Sequence, residues 1–207
     1  MTSVVQESPA AAAIDAAADR ERLGRHRGTY RAMLPNAVWY TVCNRGTRLD
    51  LFERGLVVSR RGRVRVVRYD STRLCRRVVR SAKDRVQHEC SCDYTLIDTA
   101  GAPVRLQHGI ERAAQWGPAV ERAVTEAQLP AARAALAAGE RLDFEHFWMT
   151  ATELGVGDRS VPWSRVSQIG VVGGWLSVRV AGESQPLESL PISLIPNFAI
   201  FRALAPA

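Results

Sequence analysis

Glu53-Arg54-Gly55-Leu56, followed by Val67-Arg68-Tyr69-Asp70-Ser71-Thr72, returns about a hundred residues later as Glu153-Leu154-Gly155-Val156, followed by Val161-Pro162-Trp163-Ser164-Arg165-Val166. Each copy reads as a strand, a tight glycine turn, a second strand and an aromatic anchor entering a third. Recurrence on this scale means one supersecondary unit used twice. The pattern speaks to architecture and carries no catalytic or ligand signature of its own.

Outward from the first copy, short runs rich in Val, Tyr, Trp and Leu alternate with turn residues, as strands do. Val38–Cys43, Leu49–Phe52, Leu56–Ser59, Val64–Tyr69, Leu74–Val79, Cys90–Ile97 and Val104–Leu106 make seven. Asn44-Arg45-Gly46, Arg61-Gly62 and Thr99-Ala100-Gly101 are hairpin turns. Short connections force antiparallel pairing, so the plan is a meander. A helix then starts near Pro118, with Trp116, Val120, Ala123, Val124 and Ala127 on one face. A second short helix is expected from Pro130 to Ala138, ended by Gly139. Strands restart at Phe147–Thr152, Val156, Ser167–Val172, Trp175–Val180 and Leu187–Ile192, with Gly173-Gly174 the clearest two-residue turn. Ile200, Phe201 and Leu204 close the chain at helical spacing.

These readings predict a mainly β chain with capping helices, an α+β protein of two antiparallel units in tandem, the second shorter. Residues 1–28 read as an alanine-rich tail, helical or disordered, with too few large apolar residues to dock firmly. Residues 29–139 form the first unit with its helix, and 140–207 the second.

Leu51-Phe52-Glu53-Arg54-Gly55-Leu56-Val57, Trp116-Gly117-Pro118-Ala119, Val161-Pro162-Trp163 and Ile195-Pro196-Asn197 resemble a family of unassigned function found mainly in actinobacteria. Glu-x-Gly-Leu/Val, then Val-x-Tyr/Trp-x-x-Thr/Val, a Gly-Gly hairpin and a C-terminal helix resemble the bacterial branch of the pleckstrin-homology-like superfold. The resemblance covers about Tyr30 to Ala207 and implies two pleckstrin-homology-like units. It supplies no catalytic residues.

Composition bounds the function. The 207 residues carry a net charge of +7 and 46% hydrophobic residues, enough for real cores. No apolar run approaches the ~18 residues that span a bilayer, and the first twenty residues lack a secretory pattern. The expectation is a cytoplasmic protein without a transmembrane segment, peripheral to the membrane at most. Cys43, Cys75, Cys90 and Cys92 are then expected to be reduced thiols.

Of 28 basic residues only Lys83 is a lysine, a bias that GC-rich codons produce by default. Local clustering needs another reason. Residues 60–85 hold eleven basic side chains against Asp70 and Asp84, a net +9 that leaves −2 for the rest. Arg60, Arg61, Arg63, Arg65, Arg68, Arg73, Arg76 and Arg77 are therefore the candidate contacts for an anionic surface. Alternation around Val64 and Val66 turns Arg63 and Arg65 outward, and the Val66-Val67 doublet suggests a bulge that leaves Arg68 outward too. The facing of Arg76 against Arg77 stays open. The expected function is non-enzymatic binding, with an anionic membrane surface or a protein as partner. An arginine-rich edge that merely discourages strand pairing is the plainer reading of the same run.

Nonspecific nucleic-acid binding is an alternative, but Tyr69 is the one aromatic inside the run, so a stacking platform is lacking. An enzyme with a non-sequential site is a second alternative. Lys83-Asp84 lacks the glycines of a phosphate loop, and Gly155-Val156-Gly157 meets Ser160 where a dinucleotide fingerprint needs glycine. His26, His88, His108 and His146 form no zinc pair. His88-Glu89-Cys90-Ser91-Cys92 puts three soft ligands on one strand face, but that spacing suits tetrahedral zinc poorly and a fourth ligand is missing. No metal and no cofactor is expected, and the five tryptophans are read as core.

Overall fold

The β3–β4 hairpin shows how the repeated motif folds. In the computed structural model, which describes residues 9–32, 46–79, 91–106 and 109–206, β3 (Gly55–Arg60) pairs with β4 (Arg63–Arg68) in unbroken antiparallel register from Gly55–Arg68 to Arg60–Arg63. Arg61 and Gly62 form the turn with φ of 50° and 77°, the two left-handed residues that a tight hairpin twisted like its strands demands. β1 (His26–Arg31) and β2 (Arg48–Phe52) complete a four-stranded sheet in the order β1-β2-β3-β4. β5 (Cys75–Val79), β6 (Ser91–Ile97) and β7 (Pro103–Leu106) form a three-stranded meander beside it.

The second half repeats the count. β8 (Leu142–Phe144), β9 (Phe147–Met149), β10 (Glu153–Val156) and β11 (Arg159–Pro162) make four strands, and β12 (Val166–Val172), β13 (Trp175–Val180) and β14 (Glu188–Pro191) make three. All four sheets are antiparallel and open. The second unit is shorter because its strands and turns are shorter; β8 and β11 are two that the sequence pattern missed. The expected strand Val38–Cys43 lies outside the described residues.

Among the described residues three α-helices accompany the sheets: α1 (Pro9–Arg20), α2 (Ala113–Ala137) and α3 (Phe198–Leu204). The expected break at Pro130 is absent, and α2 runs through it for 25 residues, about 37 Å. Tertiary packing overrides the local penalty of proline. Trp116, Val120 and Val124 are buried in the first core, whereas Leu129, Ala132 and Leu136 pack against the second. The helix read as closing the first unit therefore serves both. Gly139, with φ of 82°, ends it as expected.

The N-terminal segment takes the helical one of its two expected forms over Pro9–Arg20, but it docks, where too few large apolar residues were expected to hold it. Ile14, Ala17 and Ala18 of α1 are buried, and Ile14, Ala18 and Leu23 join Phe52 and Val57 in a third cluster on the outer face of the first sheet. Small alanines let the helix approach closely, so two large anchors suffice. This docking explains the Val66-Val67 doublet without a bulge. Val67 faces the first core while Val64 and Val66 face α1, so β4 is covered on both sides. β1 begins at His26, inside the span assigned to the tail.

The two motif glycines answer different constraints. A Cβ on Gly55 would overlap the carbonyl oxygen of Val67 and come within 2.7 Å of Leu23 Cδ2, whereas a Cβ on Gly155 would overlap the Trp148 ring. Gly55→Ala must part β3 from β4 and loosen α1; it is expected to lower stability by about 1–3 kcal/mol in chemical denaturation. An unchanged midpoint would show that the contact relaxes freely.

Candidate functional site

The structure splits the basic run between two places. Arg60, Arg61 and Arg63 stand on the β3–β4 hairpin tip, with Arg61 and Arg63 exposed. Further along, carboxylates hold five of the eight candidates. Arg65 lies opposite Val58, on the core face of β4, and reaches Asp98 at 2.9 Å and the Pro103 carbonyl at 2.8 Å. Its expected outward orientation is thus corrected, since α1 occupies the other face. Arg68 pairs with Asp70 and donates to the Glu21 carbonyl at 2.7 Å, fastening the end of α1. The Arg68 guanidinium holds the Asp70 carboxyl below its usual range.

Arg73 pairs with Glu145 across the two units. Arg76 reaches Glu121 of α2 at 2.9 Å and is mostly covered; Arg77 pairs with Asp93 at 2.7 Å and is 65% exposed, which settles their facing. Partnered arginines of this kind organise structure more than they advertise charge.

Arg77 nevertheless belongs to a cleft. Antiparallel pairing sets Cys75 beside Thr95, Arg77 beside Asp93, and Thr95 beside Arg105, so these five share one face of the three-stranded sheet. Ser193, on the 3-10 turn Ile192–Leu194 of the second unit, completes a cavity of ≈ 290 Å³. Two guanidinium groups, two hydroxyls and one carboxylate meet there. Burial pushes the Cys75 thiol upward, with Glu145 adding to the shift and Arg73 opposing it. A thiol shifted in that direction is a poor source of thiolate, so the polar groups of the cleft are its two guanidinium groups, its hydroxyls and the Asp93 carboxylate.

Of the residues lining this cleft the sequence reading singled out Arg77 for an anionic surface, and not Arg105, Thr95 or Ser193. Inward Val104 and Leu106 imply an outward Arg105, but its proximity to Arg77 depends on strand register, and Ser193 arrives only through docking of the units. A second cavity, of ≈ 390 Å³, lies in the seam between α1, β4 and the turn at Asp98–Ala100.

His88, Glu89, Cys90 and His108 lie outside the described residues, as do Cys43, Lys83 and the other basic residues of the run beyond Arg77. Cys92 packs against the first core. Among the described residues no group of three His, Cys, Asp or Glu could hold a metal ion, and no helix is long and apolar enough to cross a membrane. Trp116 is fully buried and Trp163 packs on the second core, but Trp175 is 54% exposed, against its reading as core.

The model of a family of unknown function, DUF6585, matches residues 19–206, and the chain belongs to that family. No curated protein and no solved structure matches it.

Proposed function

We propose that the protein acts by binding, as two fused units of pleckstrin-homology-like plan that attach peripherally to an anionic membrane surface. The twofold sequence of four strands, three strands and a helix supports the plan. The observation that carries the partner is the convergence of Arg105, and of Arg77 with its partner Asp93, on one open cleft beside the Thr95 and Ser193 hydroxyls. Guanidinium forks and hydroxyls are the groups that grip phosphate oxygens. Each basic residue held near an anionic lipid surface contributes about 1 kcal/mol.

Flotation with phosphatidylcholine vesicles, with and without phosphatidylserine, tests this at low and physiological salt. Capture is expected only by the anionic vesicles and should weaken as salt rises. Arg77→Glu with Arg105→Glu should reduce it about tenfold or more, while Arg61→Glu with Arg63→Glu, at the other arginine cluster, should reduce it less. Capture that ignores vesicle charge, or is lost only with the hairpin-tip pair, would overturn the assignment to the cleft.

A further inference from the structure

Four large apolar residues are exposed among the described residues, and all belong to one region. Val171 is 42%, Val172 81%, Trp175 54% and Leu194 43% exposed. Val172 and Trp175 face each other across the Gly173-Gly174 turn that joins β12 to β13. The Ile192 N–H donates to the Gly174 carbonyl at 2.9 Å, tying this tip to the turn that carries Leu194. Single exposed apolar residues are ordinary, whereas their concentration at one hairpin tip marks a contact surface.

The tip stands beside the cleft. Ser193, which lines it with Arg77 and Arg105, directly precedes Leu194. A Cβ on Gly174 would lie 3.1 Å from Val78 Cβ, and Val78 follows Arg77. Arginines at the edge of an apolar projection containing tryptophan form the charge and hydropathy profile of a bilayer interface. Phosphates lie outermost, acyl chains begin a few ångströms deeper, and the amphipathic indole favours the boundary.

Resting on the anionic-surface reading above, we propose that the β12–β13 tip is a membrane-insertion element. Val172 and Trp175 enter the interfacial zone of an anionic leaflet, and Leu194 follows at its edge. Arg77 and Arg105 meet the lipid phosphates alongside. Electrostatics would bring the protein to the surface, and burial of the tip would slow its departure.

The test uses the full chain and phosphatidylserine-containing vesicles, some with bromines on the upper acyl chains. Wild-type tryptophan emission should be quenched, and the quenched fraction should fall sharply in Trp175→Phe. Val172→Ser with Trp175→Ser should weaken partitioning about tenfold while leaving its salt dependence and the thermal midpoint unchanged, since both side chains are exposed. Salt-sensitive capture with no quenching and no effect of the serine pair would overturn insertion and leave the electrostatic reading standing. Absence of capture by any vesicle would overturn both. A dimer that the serine pair converts to monomer, with vesicle capture unaffected, would make the occupant a second copy of the chain and overturn insertion.

Discussion

Trp116→Ala is expected to destabilise the whole chain by about 3–5 kcal/mol, the usual cost of removing a buried aromatic from a core that cannot collapse around the hole. Trp116 is fully buried. Its ring meets Tyr94 edge-on at 5.7 Å, and Gly117 is so close beneath Tyr94 that a Cβ there would lie 2.7 Å from the ring. The indole is therefore wedged between α2 and the three-stranded sheet, and little backbone can move in to replace it. Its Nε1 donor has no hydrogen-bond partner among the described residues, and packing is the main contribution that truncation to alanine removes. Trp116→Phe, which deletes that unsatisfied donor and keeps most of the ring, should cost far less. Because α2 spans both cores, the loss should spread. Amide-exchange protection in β13 is expected to fall together with that in β6. Unchanged β13 protection in Trp116→Ala would show that the units unfold independently.

What the sequence made legible follows from how local each cause is. Gly173-Gly174 and Arg61-Gly62 were readable as turns because positive φ is a property of one or two residues, and the structure has it at all four. The repeat was readable from its spacing, although Gly55 answers to Val67 and to Leu23 of the N-terminal segment, and Gly155 to Trp148. The bulge at Val66-Val67 was misread by assuming that a strand buries one face; α1 covers the other, and nothing in the doublet announces a helix fifty residues upstream. That helix was underrated because its alanines count little by hydropathy, although they are what permits close approach. Pro130 looked like a start because local rules cannot see a second core waiting for the next two turns of helix. The cleft is the extreme case. Arg77, Arg105 and Ser193 are brought together by register and by docking of the two units, which no short-range signal encodes.

Asn197→Ala should cost about 3 kcal/mol, for two separable reasons. Asn197 stands at the start of α3 with φ of 52°, where a side chain other than Asn, Asp or none is strained. It also substitutes for a strand neighbour of Leu74. The Asn197 N–H donates to the Leu74 carbonyl at 2.7 Å, and the Leu74 N–H donates to Asn197 Oδ1 at 2.8 Å. The amide then donates from Nδ2 to Gln128 Oε1 at 2.9 Å, and Gln128 Nε2 donates to the carbonyls of Tyr69 and Thr72 at 2.7 and 2.8 Å. Thr72 itself is buried and exchanges hydrogen bonds with Ile97. One asparagine thus links the strand connection of the first unit, the shared helix and the last helix of the second. Asn197→Gly keeps the left-handed conformation and loses the network, so it should be about 1 kcal/mol less damaging than Asn197→Ala. In a double-mutant cycle with Gln128→Ala the two losses should fall short of additive by about 1 kcal/mol, because each variant breaks the same bond. Strict additivity, together with equal effects of alanine and glycine at position 197, would remove this network as the clasp between the units. Their union would then rest on α2 and the packing of its two faces.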